Sequence, residues 1–329
     1  MADPEISETC MSVVKCALIF FGIFGSYGNS NIILATYLHK SLRSKCGLLF
    51  AFLAFNNLIC LIFELLSAVR LISNTAKMPR EKCFWSISPY LFIENMHSYM
   101  ICCVGFDRLI AICFPIKYML WPTRLYVLAM VTPGVFYAST VVTLGATFLD
   151  NPDVPVCNPP LAYPAVISKL WNLATIVVCC TTVCSYVVTY IMLFKIAPRK
   201  TTDITVLAQI KIQKIIVKTL TVNVCVYFFS AVLCAFFIFI MRSTKISGSF
   251  IAEAETAVIP VGLASFSFDY YVYFWRSSEY RRAFKQQLFC GCLMWKQGRF
   301  FALTNATTML VTQIEPTRIH GPISIAAYK

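Results

Sequence analysis

Residues 47–72 read GLLFAFLAFNNLICLIFELLSAVRLI, and this stretch decides the fold class. Only Glu64 and Arg70 in it are charged, and it is long enough to cross a bilayer, which takes about 20 apolar residues in a helix. Helices and closed barrels are the only backbones that satisfy every peptide group in lipid. The alternating polarity of a barrel strand is missing here. The stretch therefore predicts a membrane-spanning helix.

Six similar runs accompany it. The seven apolar runs cover roughly residues 12–38, 47–72, 84–113, 125–148, 164–194, 210–241 and 250–275. The last is the weakest, because Glu253 and Glu255 stand at its start and Asp269 inside it. The whole chain is 58% hydrophobic and 13% charged, with a mean hydropathy of +0.71, which points to a bilayer as solvent. These patterns predict an all-α membrane protein with a seven-transmembrane helix bundle at residues 12–275.

The distribution of charge predicts the orientation. With the N-terminus outside, the basic residues collect on the cytosolic side, and the chain has a net charge of +13. Residues 1–11 are then extracellular, and they lack the basic start of a signal peptide. A nucleic-acid partner is the other interpretation of a basic chain. We reject it because the charge lies on one membrane face, without stacking aromatics. The expected partner is membrane lipid, and the expected location is the plasma membrane, with the C-terminus in the cytoplasm.

Sixteen cysteines show no zinc or haem spacing, so we expect no metal and no cofactor. Most lie in apolar runs, where a free thiol packs as a small hydrophobe. Cys83 opens the third run and Cys157 lies in the loop before the fifth. Both fall on the oxidising side at similar depth, which favours a disulfide over two unpaired thiols.

Several short motifs resemble those of rhodopsin-like G-protein-coupled receptors. They are Gly28-Asn29, the run Leu53-Ala54-Phe55-Asn56-Asn57-Leu58, Cys83 placed 25 residues before Arg108, Asp107-Arg108-Leu109 followed by Ile112-Cys113-Phe114-Pro115 and Tyr118, and Tyr273 followed by the segment to Phe284.

The match is narrower in four places: Ser41–Cys46, Cys83–Phe84 with Pro89–Phe92, Phe106–Tyr118, and Val156–Leu161. In this order they resemble nematode chemosensory receptors of serpentine class sx, over roughly residues 20–290. The resemblance implies a receptor rather than an enzyme. It also implies an extracellular small-molecule or peptide ligand, a heterotrimeric G protein as partner, and a place in sensory cilia.

The chain departs from the receptor pattern in its interior. Asn57 stands where the family has Asp, Asp269 where it has Asn, and Tyr270 where it has Pro. The sixth run has no Cys-Trp-x-Pro, and the fifth has Thr182 in place of a central Pro. We predict a polar core of Asn29, Asn57 and Asp269, in which the last two share hydrogen bonds. The alternative is that they are independent polar positions.

The Asp107-Arg108 pair is the predicted activation switch. The two side chains are expected to form an ion pair at rest, and Arg108 is expected to turn towards Tyr190 and Tyr273 on activation. The base of the sixth run, residues 211–214, has no carboxylate, so the resting pair should depend on Asp107 alone. The alternative is an interfacial Arg that reaches the headgroups.

Glu94 is the candidate ligand-binding carboxyl. It lies about four helical turns from Arg108, at the depth of the family's ligand cavity, and an intramembrane carboxyl is usually functional. Tyr90, Asn95 and His97 share the region. The alternative for Glu94 is a neutral carboxyl bonded to a neighbouring helix. Glu64 has a weaker case.

The C-terminal part divides in two. Residues 276–290 predict a short amphipathic eighth helix, with Phe284, Leu288 and Phe289 on the bilayer. Cys290 and Cys292 follow as palmitoylation candidates, and free thiols are the alternative. Residues 291–329 are expected to be a disordered cytoplasmic tail.

Two other functions compete with a chemoreceptor. A retinal-binding receptor needs a lysine in the seventh run, where Leu263 stands instead, so it is excluded. A seven-helix transporter or a ligand-gated channel subunit remains the alternative. Transporters often carry internal repeats, and none is visible in this sequence.

Overall fold

The computed structural model describes residues 7–196, 204–243 and 248–296, which are mainly helical. The helices are α1 (Glu8–Leu38), α2 (Lys45–Ile72), α3 (Arg80–Cys113), α4 (Pro115–Leu120), α5 (Thr123–Thr147), α6 (Pro159–Ala162), α7 (Ala165–Ile191), α8 (Ile204–Tyr227), α9 (Leu233–Ser243), α10 (Gly248–Ala257), α11 (Ile259–Ser267), α12 (Asp269–Arg276) and α13 (Ser278–Lys296). A 3₁₀ turn covers Lys40–Leu42, and two-residue strands form at β1 (Met78–Pro79) and β2 (Asp153–Val154).

Six stretches of helix within the described residues are long and apolar enough to cross a membrane. They are Glu8–Leu38, Lys45–Ile72, Arg80–Cys113, Thr123–Thr147, Ala165–Phe194 and Ile216–Met241. Large apolar side chains remain exposed on these helices, among them Phe20, Ile23, Leu128 and Phe136, as expected where lipid is the solvent. The predicted all-α membrane protein is confirmed.

The seventh apolar run differs from the prediction of one continuous helix over 250–275. It forms three short helices, α10, α11 and α12, that are interrupted at Val258 and Phe268. Pro260 stands in the first turn of α11, where its missing N–H is tolerated, but a helix running through it would lose a hydrogen bond. The charged residues do not cause the first interruption. The second one places Asp269 at the first residue of α12.

Wide π-helical turns interrupt two other runs. One covers Met192–Ile196 after α7, and the other covers Phe228–Val232 between α8 and α9. The family's Cys-Trp-x-Pro corresponds to Ser230–Leu233 in this chain, and the second turn contains the first three of these four residues. A π turn is a recognised cause of helix bending. The sixth run is therefore interrupted next to the position of the family's proline, although it has no proline there.

α3 lies against α2, α5, α7 and α8 and forms the centre of the bundle. Two large apolar clusters occupy most of the interior that the structure describes. One surrounds Cys83, Phe84 and Tyr163, and the other surrounds Phe50 and Met100. We call the end of the bundle that contains Cys83 the disulfide end. The opposite end contains Arg108, and we call it the Arg108 end.

The first and last helices have bounds that differ from the predicted ones. α1 begins at Glu8, inside the predicted extracellular segment, where an acidic side chain suits the positive end of a helix. The eighth helix, α13, runs over Ser278–Lys296 instead of 276–290. The side chains of Phe289, Cys290 and Cys292, and the tail from residue 297, lie outside the described part of the chain, so the predictions about them stay predictions.

Phe284 does not face the bilayer, so its predicted role was wrong. Its side chain is fully buried, with its ring 4.4 Å from that of Tyr270 and 5.5 Å from that of Tyr280. The first turns of α13 therefore pack onto α12 through an aromatic contact. The compact unit that forms the bundle ends at Phe284.

Candidate functional site

A disulfide closes the loop at one end of the bundle. Cys83, in the first turn of α3, is bonded to Cys157 with an S–S distance of 2.06 Å and a Cα–Cα distance of 5.5 Å. The short antiparallel pair of β1 and β2 lies beside it, and the Arg80 Nε donates to the Leu161 carbonyl at 3.1 Å. The predicted bridge is present, and it fixes α6 and its neighbouring loop above the helices.

A cavity lies beneath this loop, and we call it the Glu94 cavity. It contains about 870 Å³ of space that protein atoms do not fill, part of which is open to solvent. Its walls come from α2, α3, α6, α7, α8, α9 and α11. The lining residues used below are Glu64, Tyr90, Glu94, His97, Trp171 and Phe266. Pro159 and Pro160 of the loop lie over it. The cavity therefore sits between the disulfide and the middle of the bundle.

Three of the four predicted ligand residues line this cavity. Tyr90, Glu94 and His97 stand at helical positions i, i+4 and i+7, so they share one face of α3. The prediction that Asn95 contacts the ligand was wrong. Asn95 is fully buried away from the cavity, where its amide donates to the Leu91 carbonyl at 2.7 Å and to the Tyr163 hydroxyl at 3.4 Å. Asn95 holds α3 against the loop instead.

Glu64 lines the same cavity, although a ligand-binding role was predicted for it with a weaker case than for Glu94. Its carboxylate accepts a hydrogen bond from the Tyr90 hydroxyl, and both side chains are buried. The bond joins α2 to α3 at the cavity wall. The sequence did contain a signal for this role, because a carboxyl group within a membrane-spanning run is rare and usually functional.

The polar core brings α1, α2 and the interruption after α11 together. The Asn57 amide donates to the Asp269 carboxylate at 3.0 Å and to the Asn29 side-chain oxygen at 3.3 Å. Asn29 in turn donates to the Phe266 carbonyl at 2.8 Å. That carbonyl is in the last turn of α11, where backbone acceptors lack helical partners. Asn57 and Asp269 therefore face each other and share hydrogen bonds.

The interruption is packed closely against α1. A methyl group added at Gly25 would lie 2.6 Å from the Ser267 hydroxyl, and one added at Gly28 would lie 2.7 Å from the Tyr270 Cβ. Neither distance is compatible with van der Waals contact. Gly28 of the predicted Gly-Asn pair thus lets α12 approach α1, and the neighbouring Asn29 then reaches the exposed backbone of α11.

At the other end, Arg108 and Asp107 are almost completely buried and form the predicted ion pair. Tyr118, on the short helix α4, donates its hydroxyl to Asp107 at 3.0 Å and accepts a hydrogen bond from Arg108 at 3.0 Å. α4 starts at Pro115, which has the preset backbone angle of a first helical residue. The turn at Phe114 and Pro115 brings Tyr118 back to the pair.

The expectation that Asp107 alone restrains Arg108 was wrong. The Arg108 guanidinium also donates to the side-chain oxygen of Gln213 on α8, at 2.7 Å. Gln213 has no charge, and the search for a carboxylate at this position therefore missed it. We call Asp107, Arg108, Tyr118 and Gln213 the Arg108 cluster. It connects α3, α4 and α8.

The two tyrosines predicted to receive Arg108 differ in position. Tyr273 is buried, 5.2 Å from the ring of Phe50 and 5.1 Å from that of Tyr280. Tyr190 is 48% exposed and stacks on Phe194. Within the described residues, neither is among the hydrogen-bond partners of Arg108. Tyr273 also lines a partly open cavity at this end.

Lys45, in the first turn of α2, holds α4 in place. Its ammonium donates to the Tyr118 carbonyl and lies 4.6 Å from the centre of the Tyr118 ring and 5.7 Å from that of Tyr126. Such cation–π contacts stabilise by about 0.5–2 kcal/mol. Sequence reasoning assigned Lys45 only to the cytosolic charge excess, because nothing local indicated the aromatic pair around it.

Membrane-spanning helices with a loop-covered cavity at one end and a buried Asp-Arg pair at the other define a serpentine receptor. The family model described as "Serpentine type 7TM GPCR chemoreceptor Srsx" matches residues 22–288. The chain therefore belongs to this family of seven-transmembrane chemoreceptors, which are receptors and not enzymes.

A curated relative, olfactory receptor 1468 of Rattus norvegicus, is 27% identical over 111 residues. The match covers 31% of this chain and 34% of the rat protein, so the chain aligns with about a third of that relative's length.

Proposed function

We propose that this chemoreceptor binds an extracellular chemical in the Glu94 cavity and activates a heterotrimeric G protein at the Arg108 end. The single observation that carries the proposal is the Arg108 cluster, a fully buried charge held by groups from three elements. A buried guanidinium whose partners lie on separate helices can be released when those helices move apart. Ligand binding would act by favouring one of the two arrangements.

Charge supports the orientation. Disulfides persist in oxidising environments, so the Cys83–Cys157 bridge supports an outward-facing disulfide end. The connections at the Arg108 end contain Lys40, Arg43, Lys117 and Arg124. We propose that the disulfide end and the N-terminus face outward at the plasma membrane and that the Arg108 end meets the cytosolic partner. Placement in sensory cilia follows from the family alone.

The cavity supports a small molecule as the ligand. The loop with Pro159 and Pro160 lies across it, and the disulfide restrains that loop. Apolar and aromatic side chains line the cavity around a few polar groups, which is the composition typical of small-molecule sites. A folded peptide would need the loop to be displaced.

The test is a second-messenger assay in cells that express the receptor with and without a co-expressed Gα subunit. Asp107→Asn should raise basal signalling, because it removes the charge that faces Arg108. Arg108→Lys, which keeps the charge but loses the planar donor fork, should lower it. A current or uptake that persists without any G protein would instead indicate the transporter or channel alternative.

A further inference from the structure

Two carboxyl groups share the wall of the Glu94 cavity. Glu64 on α2 is 7% exposed and already accepts the Tyr90 hydroxyl. Glu94 on α3 has a buried oxygen, Oε2, for which the structure shows no hydrogen-bond partner. Among the described residues that line the cavity there is no lysine or arginine. The described lining of the cavity thus offers two carboxyl groups and no basic side chain to pair with them.

His97 supplies an independent observation on the same face of α3. Its side chain is 3% exposed, and its Nε2 has no hydrogen-bond partner among the described residues. The ring lies 4.5 Å from that of Phe266, edge to face. A neutral imidazole has one nitrogen that accepts a hydrogen bond. A buried polar atom without a partner costs about 1–3 kcal/mol, so a ligand that supplies the missing bond would recover it.

The three groups restrict the ligand's chemistry. An anion would be repelled by the carboxyls, and an alcohol brings one donor and no charge. A quaternary ammonium is charged but has no N–H. A primary ammonium combines a positive charge with three donors, which matches Glu64, Glu94 and His97. Trp171 and Phe266 offer apolar and aromatic surface to the rest of such a molecule.

We propose that the Glu94 cavity recognises a primary amine in its protonated form, with the ammonium between Glu64, Glu94 and His97 and the apolar part against Trp171 and Phe266. The inference rests on the proposed function, because it names the ligand class of that same cavity. It makes the receptor selective for the number of N–H donors as well as for charge.

The probes are the primary n-alkylamines from propyl to octyl and 2-phenylethylamine, each with its N-trimethyl, alcohol and carboxylate analogue. Purified full-length receptor is heated with each compound, and the shift in melting temperature gives the apparent affinity. At least one primary amine should bind, and its N-trimethyl analogue should bind at least about tenfold more weakly. The inference is overturned if no amine binds, or if the trimethyl analogues bind equally well.

Glu94→Gln keeps the size of the side chain and removes its charge. It should weaken amine binding by about tenfold or more. Glu81→Gln is the matched control, because Glu81 is an exposed residue of the same helix, outside the cavity, and should bind like the wild type. If Glu94→Gln fails to reach the cell surface, Glu64→Gln provides the same comparison. Equal affinity of the cavity variant and the control contradicts the proposal.

The second-messenger assay separates this inference from the proposed function. If alcohols or carboxylates activate the receptor through a G protein and amines do not, the receptor function stands and the amine class is wrong. If amines bind and are lost in Glu94→Gln, but no G protein responds, the ligand class stands and the coupling is wrong.

Discussion

The polar core offers a sharp test, because Asn57 and Asp269 are exchanged relative to the family. Asn57 is the sole donor between two acceptors, Asp269 at 3.0 Å and Asn29 at 3.3 Å. Asn57→Asp removes both hydrogen bonds and sets two carboxyls side by side. Asp269→Asn keeps an acceptor oxygen but removes the charge. The exchange of both residues restores one amide and one carboxylate.

The structure predicts the size of each effect. A buried acceptor left without its donor costs about 1–3 kcal/mol, so Asn57→Asp should lower the free energy of unfolding by about 2–4 kcal/mol. Asp269→Asn should cost about 1 kcal/mol, the difference between a charged and a neutral acceptor.

In the double variant, the amide at position 269 can donate to the carboxylate at position 57. The carboxylate at position 57 has no hydrogen to donate, so the side-chain oxygen of Asn29 stays without the hydrogen bond that Asn57 supplies. Asn29 cannot turn its amide around, because its nitrogen bonds the Gly25 and Phe266 carbonyls at 2.9 and 2.8 Å. Recovery should therefore be partial, with a coupling energy of about 1–2 kcal/mol.

The assay is thermal unfolding of the purified receptor, where about 1 kcal/mol corresponds to roughly 2–4 °C in proteins of 150–250 residues. A control cycle combines Asp269→Asn with Asn31→Asp, since Asn31 only donates to the Tyr27 carbonyl of its own helix. The control pair should add within about 0.5 kcal/mol. If the Asn57–Asp269 pair adds as simply as the control, the shared hydrogen bonds do not stabilise the protein.

Three further predictions concern the ends of the bundle. Cys83→Ser should retain the receptor inside the cell, because loss of a native bridge costs about 2–5 kcal/mol; normal surface labelling would contradict this. Gln213→Leu should raise basal signalling at equal expression, because Arg108 loses its acceptor on α8; an unchanged basal level would remove Gln213 from the restraint. Lys45→Met should also raise basal signalling, because α4 loses its contact with the Lys45 ammonium; an unaltered basal level would show that Tyr118 keeps its position without Lys45.

Much of the fold could be predicted because membrane insertion depends on local composition. A run of about 20 apolar residues is visible without any knowledge of its neighbours. The division of the seventh run was missed for a related reason, since hydropathy averages over the positions where a backbone turns. Pro260 is the local signal in the sequence that indicates this division.

The site was predictable to the extent that helical geometry determined it. Tyr90, Glu94 and His97 share a face of α3, and counting about 100° per residue would already have excluded Asn95. Gln213 could not be found in this way. Its contact with Arg108 joins residues 105 positions apart and depends on how α8 is rotated against α3.

The π turn at Phe228–Val232 affects how this helix tolerates a change in length. A π turn holds one residue more than an α turn. Deleting one residue there would give a regular helix in which both halves keep their faces. The same deletion elsewhere in α8 or α9 would rotate everything beyond it by about 100°, which would move Gln213 away from Arg108 or Ala235 away from the cavity. Single-codon deletions in this helix should therefore be accepted at one place only, the Phe228–Val232 turn.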